Sequence, residues 1–310
     1  MKRTLCIVLA ILTALTCIFA FASCKNDPDP SVSGTTAGTD ETTEAPTNGT
    51  LGANDLEKIK TAGKVVVGME CKYAPYNWAQ TTETENTVKV RDGMFADGYD
   101  VQIAKKIAAG LGVTLEIKPF EWDGLIPAVN AGDIDLIIAG MSPEAKRKLR
   151  VDFSDVYFES NLVVVCKKDS PYASATKIAD FKDAKITGQH NTFHYAVIDQ
   201  IEGVKKQTAL PDFAALTEAL KAGSIDGYVC EKPGGESAVA SNSSFMFIEF
   251  ADGNGFTCDP EESSIAVAMR KGSSLTAEIN KIIASVPKAE REALMNACVA
   301  RQPVTEDEAQ

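Results

Sequence analysis

The alternation of strand and helix patterns from residue 55 onward restricts the fold of this chain more than any other feature. Short apolar runs at 64–69, 112–117 and 134–139 have the length and composition of buried strands. Between them, residues 101–111 and 122–129 carry apolar side chains three or four positions apart, which is typical of helices. Strands that alternate with helices predict an α/β fold with a mostly parallel sheet.

The same succession returns in the second part of the chain, as strands at 162–167, 185–188, 225–230 and 265–269 and helices at 192–201, 214–222 and 275–286. Two helix-to-strand corners are alike, because Ala131–Asp135 and Ala222–Asp226 both read Ala-Gly, one variable residue and Ile-Asp. We interpret this likeness as two lobes of similar architecture.

The N-terminus has the composition of an export signal. Lys2 and Arg3 precede an apolar run at 5–21, and small residues follow it. No second run reaches the roughly 20 apolar residues that a membrane-spanning helix needs. We therefore expect residues 1–23 to be a signal peptide.

The sequence Phe21-Ala22-Ser23-Cys24 resembles the lipobox of bacterial lipoproteins, in which the cysteine is acylated. Two acyl chains would anchor the protein stably. Residues 24–54 contain hardly any apolar side chain after the cysteine, so they predict a disordered tether. The expected location is the outer face of the cytoplasmic membrane, with the protein at the cell surface as a lipoprotein.

Charge and cysteine usage exclude several classes of function. The formal net charge is −12, and no basic cluster lies outside the leader, so we expect no nucleic-acid partner. The cysteines beyond Cys24 are odd in number and show no C-x-x-C spacing, which predicts neither a disulfide framework nor a metal site. His190 and His194 have the spacing of zinc ligands on a helix, but a third ligand is not evident. We expect no metal and no cofactor.

One stretch predicts a binding site for an anion. The apolar run 134–138 leads into Gly140-Met141-Ser142 and then a helix start, which places free backbone N–H groups beside a hydroxyl. Arg147 follows five residues after Ser142 and can bring a planar guanidinium to the same place. Guanidinium and helix-end amides together suit a carboxylate.

Several motifs in order along the chain carry a resemblance to a known family. They are Lys72–Tyr76, Asp97–Val101, Glu121–Ala128, Ile137–Ser142, Arg147 and Asp152–Tyr157. This set, within residues 60–295, resembles the family-3 extracellular solute-binding proteins, the polar amino-acid receptors of bacterial ABC importers. The resemblance implies a two-lobed, type II periplasmic-binding fold with a cleft between the lobes. It also implies a monomer that binds a free L-amino acid, presents it to an ABC permease and is not an enzyme.

The resemblance also implies the extent of each lobe. Lobe 1 would comprise residues 55–158 and 253–310, and lobe 2 residues 159–252. The two crossings between them would lie near Glu159–Asn161 and Phe250–Asp252.

The resemblance assigns roles in ligand binding as well. Arg147 and Ser142 would bind the ligand α-carboxylate, with the N–H of Thr192 added from lobe 2. Glu231 and the Gly140 carbonyl would bind the α-ammonium. The remaining members of the predicted site are Glu70, Tyr73, Asp100, Trp122, Met141, Gly188 and Gln189.

Three residues depart from the family pattern. His190 and Asn191 stand where Gly is frequent, and Glu231 stands where Asp is commoner.

The nature of the side-chain end is less constrained. Tyr73 and Trp122 would flank the ligand side chain, while Glu70 and Asp100 would supply two carboxylates near its end. This combination favours arginine, lysine or ornithine. Glutamine receptors also carry an acid at the position of Glu70, so a glutamine or histidine receptor is the alternative. A dehydratase of cyclic acids or a sensor domain on the same fold is a second alternative.

Overall fold

The computed structural model describes residues 52–303. The predicted signal peptide, Cys24 and nearly all of the predicted tether lie outside these residues, as does the segment 304–310. The helices are α1 (Asp55–Ala62), α2 (Tyr99–Leu111), α3 (Leu125–Ala131), α4 (Ala145–Lys148), α5 (Phe193–Ala196), α6 (Phe213–Lys221), α7 (Lys232–Ser241), α8 (Thr276–Ala284) and α9 (Lys288–Arg301). The strands are β1 (Lys64–Met69), β2 (Lys72–Tyr73), β3 (Asn77–Gln80), β4 (Val88–Arg91), β5 (Met94–Asp97), β6 (Thr114–Pro119), β7 (Leu136–Ile137), β8 (Val151–Glu159), β9 (Leu162–Lys167), β10 (Ile186–Thr187), β11 (Gly227–Glu231), β12 (Phe245–Glu249) and β13 (Ser264–Arg270).

Two mixed sheets carry the fold. Sheet A has the strand order β6-β1-β7-β13-β8, and sheet B has the order β10-β11-β9-β12. The pairs β1–β6, β1–β7 and β10–β11 are parallel, whereas every pair that involves β13, β9 or β12 is antiparallel. The prediction of a mostly parallel sheet is therefore wrong. Parallel neighbours need a crossover helix between them, and the strands next to the passage from one sheet to the other have none.

A third, antiparallel sheet was not predicted from the sequence. Sheet C has the order β2-β3-β5-β4 and lies within residues 72–97. Strands β4 and β5 are joined by Asp92 and Gly93, and Gly93 adopts a φ of 71°. An Asp-Gly pair between two short runs is a strong hairpin signal, so this element was open to prediction.

Several helices also differ from the prediction. The segment 192–201 forms only the short α5 and then a 3-10 turn over Val197–Gln200. Helix α7 was missed because its first turn reads Lys-Pro-Gly-Gly, which is typical of a loop; here Pro233 occupies the first turn, where it costs no hydrogen bond. Within residues 52–303, none of the helices combines the length and apolar composition that a membrane crossing requires.

The passages between sheets A and B lie side by side. Strand β8 leads into β9 through residues 160–161, and the Ser160 N–H donates to the Ser263 carbonyl at 3.3 Å. Phe256 and Cys258 pack against the hydrophobic cluster on the outer face of sheet B. These apolar contacts place Phe256 and Cys258 beside sheet B, and the predicted lobe boundaries and crossings stay a prediction.

Candidate functional site

A narrow cavity lies between the elements of sheets A and B. Its lining combines aromatic rings with a few polar groups, and both sheets contribute: Tyr73, Trp122, Ala139, Gly140, Ser142, Arg147, Gln189, Thr192, Phe193, His194 and Phe213. Seven of the predicted site residues are in this lining. The structure thus brings together side chains that are more than a hundred residues apart in sequence.

Arg147 lies on α4, and its side chain is almost fully buried at the cavity. One terminal nitrogen donates to the Ser142 carbonyl and the other to the Asn191 carbonyl, each at 3.0 Å, so the guanidinium connects the two sides of the cavity. The ring of Trp122 lies 4.9 Å from the guanidinium carbon. Burial lowers the pKa of Arg147, against the opposing effect of the Glu144 and Glu231 carboxylates. A buried guanidinium of this kind is a strong partner for a carboxylate.

The predicted Gly-Met-Ser turn positions the backbone beside Arg147. Gly140 adopts a φ of 60°, and a Cβ there would come within 3.1 Å of the Tyr73 ring. Both facts favour glycine at this position. The Met141 carbonyl accepts from the Ala266 N–H at 3.1 Å, which ties the turn to β13.

Glu231 ends β11 and is fully buried next to the cavity. The Tyr73 hydroxyl donates to its Oε2, and Nε2 of His194 lies 2.9 Å from its Oε1. Burial opposes the charge of Glu231, but the charge and hydrogen bond of His194 and the hydrogen bond from Tyr73 outweigh burial and lower its pKa. A carboxylate that stays ionised in a buried place is suited to an ammonium group.

Both predicted aromatic residues, Tyr73 and Trp122, line the cavity, and their contact with a ligand stays a prediction. Tyr73 stacks on Phe213, with ring centroids 3.8 Å apart and planes at 9°, while Trp122 contacts Arg147. Sequence reasoning missed Phe213, whose only signal was its place after Asp212 at the start of a helix; Asp212 caps α6 by accepting from the Ala215 N–H.

Polar groups from the loop before α5 complete the wall. The Thr192 hydroxyl donates to the Gln189 carbonyl at 2.7 Å. The Gln189 side-chain amide donates to Glu70 Oε1 and to the Pro211 carbonyl, both at 3.0 Å. Gly188 allows this loop to approach α5, because a Cβ there would lie 3.0 Å from the Tyr195 nitrogen.

Glu70 and Asp100 lie behind the cavity wall and do not line it. Burial raises the pKa of Glu70 to about 8, against the hydrogen bond from Gln189. Burial also raises the pKa of Asp100 to about 6, although its oxygens accept from Tyr157 at 2.7 Å and Asn77 at 2.8 Å. Asp100 therefore holds sheet C against β8, and its contact with a ligand stays a prediction.

The histidines and cysteines of the described residues have different surroundings. Across residues 52–303, no group of three His, Cys, Asp or Glu side chains is arranged to hold a metal ion. His194 is buried beside Glu231, whereas His190 lies 3.5 Å from Asp123 near the protein surface. The cysteines of this part of the chain are free thiols.

Comparisons with known proteins place the chain among solute receptors. The profile of the bacterial extracellular solute-binding proteins, family 3, matches residues 65–297. The arginine-binding extracellular protein ArtP of Bacillus subtilis is 28% identical over 230 residues, which cover 71% of this chain and 79% of ArtP. A glutamine-binding protein of Geobacillus stearothermophilus is 36% identical over 177 residues, covering 56% of this chain and 59% of that protein.

A solved structure has a similar fold. It is an amino acid ABC transporter substrate-binding protein of Streptococcus pneumoniae bound to L-arginine, with a TM-score of 0.70 and 25% identity. The alignment covers 81% of this chain and 99% of that one.

Proposed function

Because the chain belongs to the family-3 bacterial extracellular solute-binding proteins, we propose that it is the receptor of an ABC importer for a cationic amino acid. Members of this family are receptors and not enzymes, and their fold is the type II periplasmic-binding fold. The substrate is an amino acid, and the finer choice among amino acids is our proposal.

One observation carries the proposal. A buried guanidinium, Arg147, lines the cavity, and a buried carboxylate, Glu231, lies directly behind the wall, where it contacts the lining residues Tyr73 and His194. A guanidinium in the wall of an aromatic-lined cavity and a carboxylate behind that wall suit the carboxylate and ammonium of a zwitterion. The two sides already meet through the hydrogen bonds of Arg147 to Asn191 and of Tyr73 to Glu231, so a hinge opening would admit the ligand and closure would enclose it.

Glu70 supports a cationic side chain. Its carboxyl group is buried, and burial alone makes ionisation costly. An incoming guanidinium or ammonium group would offset that cost, whereas a neutral side chain would not. The similarity to the arginine-binding ArtP and to the arginine-bound receptor of Streptococcus pneumoniae agrees with this choice. The similarity to a glutamine-binding protein keeps glutamine as the second candidate.

Isothermal titration calorimetry of the purified full chain tests the proposal. We expect L-arginine, L-lysine or L-ornithine to bind tighter than L-histidine and L-glutamine. If glutamine or histidine binds most tightly, the proposal of a cationic ligand is refuted, and the proposal of an amino-acid receptor is kept. If the protein is folded by circular dichroism but none of these amino acids gives a heat of binding, the proposed function itself is refuted.

We also propose that acylated Cys24 anchors the receptor on the outer face of the cytoplasmic membrane. The support is the sequence Phe21-Ala22-Ser23-Cys24 after an apolar leader. Expression of Cys24→Ser in a bacterial host should move the protein from the membrane fraction to the soluble exported fraction. Retention of the variant in the membrane fraction would contradict the anchor.

A further inference from the structure

A carboxylate of the protein itself already contacts the guanidinium that is expected to bind the ligand carboxylate. Glu144 is buried, and its Oε1 lies 2.7 Å from a terminal nitrogen of Arg147. Its other oxygen lies 2.9 Å from Nζ of Lys146, whose side chain is exposed. Nothing in the sequence pattern drew attention to Glu144, which stands two residues after Ser142.

A purely structural role at the start of α4 does not explain this arrangement. An acidic residue before a helix often accepts a hydrogen bond from the backbone of the first turn. The Glu144 side chain makes no such bond, and α4 is only four residues long. Its carboxylate is directed instead at the guanidinium of Arg147.

This pairing changes the charge that a ligand meets. Arg147 already has the Glu144 carboxylate and the carbonyls of Ser142 and Asn191 as partners. An incoming carboxylate therefore approaches a guanidinium whose positive charge is already partly offset by the Glu144 carboxylate, instead of a free cation. Its own interaction with Arg147 is offset by repulsion from Glu144.

At the other end of the site, two buried carboxyl groups lie near the position expected for the ligand ammonium group and side chain. Glu70 lies behind the wall next to Gln189, and Glu231 shares its charge with His194. Glu144 thus removes positive charge from a site that keeps its carboxyl groups.

We propose that Glu144 is a specificity-determining residue that reduces the contribution of the ligand carboxylate to binding, so that the receptor also accepts amines that lack the carboxyl group. The added ligand class is a decarboxylated cationic amino acid, of which agmatine is the arginine derivative. This inference rests on the proposed function, because it concerns the same cavity.

The experiment compares each amino acid with the amine that differs only by the carboxyl group. Calorimetry of the full chain gives Kd for L-arginine and agmatine, L-lysine and cadaverine, and L-histidine and histamine. The measured quantity is the ratio of the Kd of the amine to the Kd of the amino acid. Glu144→Gln keeps the size of the side chain and removes its charge, and Glu144→Thr is a second variant with a smaller polar side chain.

In both variants we expect this ratio to increase about tenfold over the parent, chiefly through tighter binding of the amino acid. The matched control is Glu261→Gln, which removes an exposed carboxylate that pairs with Lys148 on the same short helix. The control should leave the ratio unchanged. Because each Kd is obtained with its own stoichiometry, partial misfolding of a variant does not alter the ratio.

The outcomes separate the two claims. The first outcome is that the parent binds both amino acids and amines, and that the ratio of their Kd values is the same in the parent, Glu144→Gln and Glu144→Thr. This result overturns the role of Glu144 and leaves the receptor function intact. An equal increase of the ratio in Glu261→Gln also overturns the role of Glu144, because the effect would then come from the net charge of the protein and not from the contact with Arg147. A parent protein that binds no amino acid overturns the proposed function and this inference with it.

Discussion

Replacement of Glu70 by glutamine should change how the stability of the protein depends on pH. The carboxyl group of Glu70 is 4% exposed and accepts a hydrogen bond from Gln189 at 3.0 Å. Burial raises its pKa from 4.5 to about 8. Between these two values the folded protein retains a proton that the unfolded chain has released.

The sign and the size of the effect follow from this difference. Since the unfolded state binds fewer protons than the folded state in this window, the free energy of unfolding falls as the pH rises from about 4.5 to about 8. At about 1.4 kcal/mol for each pH unit, the contribution of Glu70 to that fall is about 5 kcal/mol. Glutamine has nearly the same shape and does not titrate, so Glu70→Gln should lack this contribution.

Urea unfolding of the parent and of Glu70→Gln at pH 4.5, 6, 7 and 8.5 measures the effect. We expect the variant to gain about 5 kcal/mol relative to the parent across this range. The difference between the two proteins removes the contribution of Asp100, which titrates in both. The matched control is Glu121→Gln, because Glu121 is exposed and contributes weakly to the pKa of Glu70.

A stability difference between parent and Glu70→Gln that stays constant from pH 4.5 to 8.5 would refute the reasoning. It would mean that Glu70 is ionised in the folded protein at neutral pH, and that burial does not control its proton.

Two further predictions concern the cavity. Arg147→Lys should weaken binding of the best amino acid about a hundredfold in calorimetry, because lysine keeps the charge but cannot make the two directed bonds of a guanidinium. Phe213→Leu should weaken binding about tenfold and lower the free energy of unfolding by about 1 kcal/mol, because the stack of Phe213 on Tyr73 joins the two sides of the cavity.

Each of these variants has a control. Arg150→Lys changes an exposed arginine near Arg147, and it should leave the affinity within twofold of the parent. Phe256→Leu alters a partly buried ring that contacts Phe250 away from the cavity, and it should lower stability without changing affinity. Parent-like affinity of Arg147→Lys would contradict the assignment of the carboxylate site. Equal losses of affinity in Phe213→Leu and Phe256→Leu would contradict a specific role of the stack.

The sequence by itself determined the order of the principal elements and the identity of the family. Apolar periodicity is a local property, so β1, α2, β9 and α6 were predicted close to their observed bounds. The Gly-x-Ser turn and Arg147 are close in sequence, and for that reason their common site was predictable as well.

Only the tertiary structure decided which distant groups face one another. Glu231 meets Tyr73 and His194, and Tyr73 stacks on Phe213, because sheets A and B bring separate segments to one cavity. No local pattern encodes such a contact, since it depends on the passage of the chain between the sheets. Burial is a tertiary property for the same reason, and burial is the largest cause that raises the pKa of Glu70 above that of an ordinary surface glutamate.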